Sequence, residues 1–152
     1  VAVGKDAAFM RLALEEARLA IAHGDIPVGA VAVFRGEVIG RGHNRREIDH
    51  DPIAHAEIIA MQQAALALGK WRLDGVTLYC TLEPCCMCAG AMIQARLPRL
   101  VYAALDLKAG CAGSTLDVLR NPQFNHIVDV DVGLFAEEAT ALLQDFFANL
   151  RD

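Results

Sequence analysis

The chain has 152 residues, 55% of them apolar and 22% charged, so it can bury a core of its own and is too apolar for a disordered segment. Its net charge of -5 excludes a generally basic nucleic-acid-coating protein, while leaving room for a local basic patch. No apolar run approaches the roughly 18 residues of a membrane span, and the opening VAVGKDA is too short and not cationic enough for a signal peptide, which makes the cytoplasm the expected compartment.

Along the chain, Asp6 is placed to cap a first helix, in which Met10, Ala13, Leu14, Ala17, Ala20 and Ile21 keep the helical period up to Gly24. IPVGAVAVF reads as a buried strand, turned at Arg35-Gly36 into EVIGRGHN, which makes an antiparallel hairpin. HAEIIAMQQAALALG is a second helix stopped by Gly69, and VTLYCTL is a third strand. Pro84 suits the first turn of a helix over CCMCAGAMIQAR. LVYAAL gives a fourth strand, Ser114 is placed to cap a short helix over TLDVLR, IVDVDV alternates as a half-exposed strand, and a last helix runs from Leu134 to Leu150. The βαβ units after the hairpin are expected to be parallel. The whole predicts an α/β protein, residues 1–152 forming one domain with a mixed five-stranded sheet between helical layers.

Three of the five cysteines fall within PCCMC. A disulfide framework spreads its cysteines, whereas a tight cluster in a reducing compartment points to a metal or catalytic site. On a helix, Cys85 and Cys88 share a face and Cys86 points about 100° away, so Cys85 and Cys88 are the expected pair and Cys86 is packing. A lone C-x-x-C is equally a redox motif. What decides between them is HAE, at the start of the preceding helix. His55 and Glu57 are about 200° apart on a regular helix, so they serve one site only if His55 sits at the cap. Two helix starts then face each other. One histidine and two thiolates leave a fourth position open to water, which is the pattern of catalytic rather than structural zinc. The metal lowers the pKa of its water to roughly 7, and Glu57 is placed to carry the proton. In isolation, His55 as a cap and Glu57 as a favourable charge at a helix start would be the plainer readings.

H-x-E…P-C-x-x-C is the described signature of zinc base deaminases, of which tRNA adenosine deaminase is a standard example. DIPVGAV, GHNR, DPIAHAEIIA, TLEPCCMCAGAMIQAR, AGSTLDVL, NHIV and LLQDFF follow in order along nearly the whole chain. By these the sequence resembles the cytidine deaminase-like superfamily and, within it, the bacterial tRNA-specific adenosine deaminases. The resemblance implies a three-layer α/β/α sandwich, one zinc per chain on His55, Cys85 and Cys88, and a homodimer. It also implies hydrolysis of the wobble adenosine of an arginine tRNA anticodon to inosine, by attack of zinc-bound hydroxide at C6. Asn44 is then expected to bind the target nucleotide, Val28 and Leu82 to line its pocket, and the backbone N–H of Ala56 or Cys85 to hold the substrate near the zinc.

Arg41, His43, Arg45 and Arg46 flank Asn44 and are candidates for phosphate contacts, as is Lys108. The same spacing also suits a solvated loop. AGCAGS matches no phosphate-binding motif and reads as a turn at the pocket rim. Cys80 is expected in the core. A zinc deaminase of a free base, guanine or cytosine, shares every catalytic residue. A zinc-stabilised RNA-binding module without catalysis would instead need a fourth protein ligand, Cys86 or His50.

Overall fold

The computed structural model describes residues 3–150. In chain order it comprises α1 (Val3–Ile21), β1 (Gly29–Phe34), β2 (Glu37–His43), α2 (Ala56–Leu68), β3 (Val76–Leu82), α3 (Cys86–Gln94), β4 (Arg99–Ala104), β5 (Asp129–Val132) and α4 (Ala136–Leu150). The five strands form one sheet in the order β2-β1-β3-β4-β5. β1 is antiparallel to both β2 and β3, while β3, β4 and β5 run parallel. Among the described residues, no helix is long and apolar enough to cross a membrane.

Alternation along the strands divides the core into two. Ala30 and Ala32 of β1, Leu78 and Cys80 of β3, and Leu100 and Tyr102 of β4 pack with α2 and α3. Val31 and Val33, Tyr79, and Val101 and Ala103 point the other way, with Met10, Ala13 and Leu14 of α1 and Ala139 of α4. Because both faces are covered, these strands read as nearly continuous apolar runs. Arg35 and Gly36 both have positive φ, 51° and 80°, the backbone a two-residue hairpin needs to match strand twist. α2 lies so close on β2 that a Cβ at Gly42 would collide with the Ala56 carbonyl. That contact fixes the start of α2 against the sheet.

Two expected caps are absent. Asp6 lies inside α1, where its carboxylate accepts hydrogen bonds from the Tyr79 hydroxyl at 2.6 Å and from Arg99 at 2.8 and 3.0 Å. It staples α1 to β3 and β4 in place of capping the helix. Ser114 starts no helix either. Thr115 and Val118 donate their N–H groups back to the Gly110 and Cys111 carbonyls, and Ala112 bridges to Asp117, so the 110–118 segment closes as a compact loop.

Candidate active site

The parallel strands β3 and β4 end at Leu82 and Ala104, and antiparallel β1 starts beside the end of β3. The carboxyl end of parallel strands is where α/β sheets open a crevice. A cavity of about 320 Å³ lies there, lined by Val28, Asn44, Arg46, His55, Ala56, Glu57, Leu82 and Cys85. Ile26, Glu83, Asp106 and Ala109 complete the lining. The expected strand over 26–34 begins only at Gly29, which frees Ile26 and Val28 for the wall.

His55 occupies the N-cap of α2 with extended backbone, φ -85° and ψ 151°, and its carbonyl accepts the first helical bond from Ile59. Cys85 does the same for α3, with φ -72° and ψ 176° and its carbonyl accepting from Ala89. Cys85 and Cys88 are therefore brought together by a cap and a first turn. The two positions on one helical face that their spacing implied are not what the fold uses. The two helix starts meet. His55 Nδ1 lies 3.6 Å from Cys85 Sγ and 3.5 Å from Cys88 Sγ, and all three donor atoms lie within 4.8 Å of one another.

These separations can be tested against zinc. Zn–S of about 2.3 Å and Zn–N of about 2.05 Å at a tetrahedral angle give an N···S edge of about 3.6 Å. The donor set and its spacing fit a zinc ion with one position left over. A hydrogen bond from Cys88, reinforced by one from His55, brings the Cys85 thiol down to about 3 against its burial. Donating to that thiolate, together with burial, pushes the Cys88 thiol up. The contact with Cys85 raises the His55 imidazole against desolvation.

Glu57 follows in the first turn of α2 and is only 4% exposed. Burial raises its carboxyl to about 6. Asn44 is buried, with its N–H on the Val28 carbonyl and its Oδ1 accepting from the Arg46 N–H, which fixes the side chain at the cavity wall. The first-turn N–H of Ala56 has no partner within its helix, and Ala56 is one of the residues lining the cavity.

The basic run is mostly neutralised. Arg41 and His43 both bind Glu16 at 3.0 Å, and Arg45 makes a two-pronged pair with Asp49 at 2.8 and 3.0 Å. Arg46 alone of the four lines the cavity, and no carboxylate among the described residues pairs with it. Lys108 lies outside this cavity, on a neighbouring groove with Leu143 and Phe147.

Two features escape a reading of the sequence. Cys86 is exposed and joined to Cys111 in a disulfide, so it is not simply packing and it is not a metal ligand. Glu83 lines the cavity with a carboxylate that reaches the 106–114 loop. Cys80 is fully buried and free, as expected for the core, and burial raises its thiol. His50 stands outside the ligand cluster.

Residues 4–151 match the MafB19-like deaminase family. The chain is 46% identical over 147 residues to a tRNA-specific adenosine deaminase of Bacillus subtilis (strain 168), covering 97% of this chain and 91% of the relative. A solved structure from work on A-to-I editing by tRNA deaminases at the wobble position of transfer RNA superposes with a TM-score of 0.86 at 46% identity, over 90% of this chain and 99% of that one. A guanine deaminase from Nitrosomonas europaea superposes with a TM-score of 0.76 at 31% identity, over 93% and 84%.

Proposed function

The chain belongs to the tRNA-specific adenosine deaminases, hydrolytic enzymes within the MafB19-like deaminase family, and from that premise we propose that it converts the wobble adenosine of a tRNA anticodon loop to inosine with one zinc ion per chain. The observation that carries the deaminase chemistry is the meeting of His55, Cys85 and Cys88, with His55, Cys85 and the buried Glu57 lining one cavity, and the choice of tRNA over a free base is supported by the 46% identity to the tRNA enzymes. Zinc held by those three residues supplies a Lewis acid that makes water nucleophilic near neutral pH.

The protein's own groups do the rest. Glu57 takes a proton from the attacking water and delivers it to N1 of the purine as C6 becomes tetrahedral. It then passes the second proton to the departing amine, so adenosine and water give inosine and ammonia. Asn44 and the backbone N–H of Ala56 or Cys85 orient the nucleotide, and Val28 and Leu82 enclose its base. At about 320 Å³ the cavity is at the small end of ligand pockets and suits a single flipped-out base, with the stem left outside. Arg46 is the residue best placed for a phosphate. We read residues 1–152 as one deaminase domain. An arginine tRNA as partner, a homodimer and a cytoplasmic setting rest on the family resemblance.

The guanine deaminase likeness supports a second reading, free-base deamination, at lower identity than the tRNA enzymes. A zinc-stabilised RNA-binding module fits less well, because the sulfur of Cys86 is bonded to Cys111 and His50 lies outside the cluster. Incubation with an arginine anticodon stem-loop, free guanine and free cytosine separates the readings. Inosine in the RNA alone is expected, and ammonia release from guanine without inosine would overturn the proposal.

A further inference from the structure

Glu83 stands at the end of β3, two residues before Cys85, and is 2% exposed. Its Oε1 accepts the Asp106 N–H at 3.0 Å and the Ser114 hydroxyl. Its Oε2 accepts the N–H groups of Ala112 at 3.0 Å and Ser114 at 3.1 Å. An ionised carboxylate offers about four lone-pair sites, so Glu83 has none left for substrate, water or metal. It lines the cavity, yet it is not a second base.

All four donors belong to one loop, residues 106–114, and Asp106 and Ala109 of that loop form part of the cavity wall. The loop is seated on the carboxylate itself. A Cβ at Gly110 would collide with the Glu83 carboxyl group and the Asp106 carbonyl. The disulfide from Cys86 at the first turn of α3 to Cys111 is a second tether on the same loop. All four acceptor sites of the carboxylate are filled by a single loop, and the segment they fix borders the site.

We infer that Glu83 is a positioning residue that holds the 106–114 loop as a preformed lip of the cavity, so that the flipped nucleotide meets an ordered wall. The inference rests on the reading of this cavity as a nucleotide site. A lip ordered in only a fraction of molecules weakens apparent affinity by that fraction. Losing one hydrogen bond to a charged group is expected to raise Kd roughly tenfold.

The test uses Ser114→Ala, which deletes one donor from a half-buried position, beside Glu83→Gln and Gly110→Ala. Each is assayed with the disulfide closed and after reduction, because the tether can mask the loss. Fluorescence anisotropy measures binding of an anticodon stem-loop carrying inosine, the product base, at the wobble position. Amide hydrogen exchange and zinc content are measured on the same samples. The expected result is weaker RNA binding by roughly tenfold in the reduced Ser114→Ala protein, with faster exchange confined to 106–115 and zinc retained. Unchanged affinity despite a loosened loop would overturn the inference, as would weakened binding without loosening, or a wild type that does not bind the stem-loop. Exchange rising throughout Glu83→Gln would mark misfolding, and Ser114→Ala then decides. A wild type that binds this RNA but forms no inosine in the matching stem-loop carrying adenosine would sink the deamination reading alone. A wild type that deaminates while the variants bind equally well would sink the lip alone.

Discussion

Arg45 and Arg46 are neighbours with the same charge, and the structure predicts different consequences for removing them. Arg45 is held by Asp49 through two bonds at 2.8 and 3.0 Å, both side chains being partly exposed. Its charge is locally cancelled before any RNA arrives. Arg46 lines the cavity with no such partner among the described residues. For a single strand, each phosphate neutralised contributes roughly 0.7 to the slope of log affinity against log salt. Arg46→Ala should therefore flatten the slope by about 0.7, and between 50 and 200 mM salt the wild type should lose roughly 2.6 times more affinity than the variant. Arg45→Ala should leave the slope nearly unchanged. Asp49→Ala should steepen it, by up to about 0.7, because it releases Arg45. Anisotropy titrations of the stem-loop at four salt concentrations measure all three. Equal slopes for Arg45→Ala and Arg46→Ala would refute the reasoning, since pairing with Asp49 would then not decide which arginine reaches the RNA.

Glu57→Gln should keep zinc and fold while turnover falls by roughly 10²- to 10⁴-fold, measured by metal analysis beside single-turnover kinetics; loss of the metal would make Glu57 a ligand instead. Cys88→Ser should remove the zinc, whereas Cys86→Ser, Cys111→Ser or reduction of their disulfide should leave about one zinc per chain, and equal metal loss from Cys86→Ser and Cys88→Ser would show the wrong cysteines to be ligands. Asp6→Asn should destabilise the fold at neutral pH by about 1–3 kcal/mol, the worth of its bonds to Arg99 and Tyr79. The Arg99 hydrogen bonds, against burial, hold the Asp6 carboxyl below its ordinary value, so this stability is present above about pH 4 and is lost as pH falls further through the lowered folded pKa. Thermal melts should accordingly show the gap between wild type and variant closing in acid, and a gap independent of pH would remove Asp6 from the ionised state assigned to it.

How much of this was legible in the sequence depended on the range of the interaction. Strand β3 is legible to the residue, because VTLYCTL is buried on both faces and bounded by turns. His55 was legible through a contradiction. H-x-E cannot share one face of a helix, so the histidine had to sit at a cap, and its φ of -85° and ψ of 151° place it there. The same logic was not applied to Cys85, where Pro84 was read as belonging to the helix. Cys85 and Cys88 were paired on one helical face, whereas a cap and a first turn bring them together. Arg45 and Asp49 stand at i,i+4, a spacing at which an ion pair is visible in the sequence itself. Glu83, Cys86 and Cys111 were out of reach, since each acts on a partner 23 or more positions away and local periodicity carries no signal of it. The helix expected over TLDVLR failed for the same reason. Its helical pattern is local, but the Ser114 hydroxyl that would cap it donates to a carboxylate 31 residues earlier, and the Val118 N–H goes back to the Cys111 carbonyl.

The two levels of legibility correspond to two parts of the site. The proposed metal ligands and Glu57 come from helix starts, where sequence, cap geometry and chemistry coincide within a few residues. The wall facing them comes from a loop that has no regular structure of its own and is shaped by a carboxylate of the neighbouring strand end. Chemistry can therefore stay fixed while the wall varies. Among folds of this kind, the substitutions that separate a tRNA adenosine enzyme from a free-guanine enzyme should fall in the second part. The 31%-identical guanine deaminase neighbour, superposing at a TM-score of 0.76, is the comparison in which that division can be tested by exchanging the 106–114 loop alone.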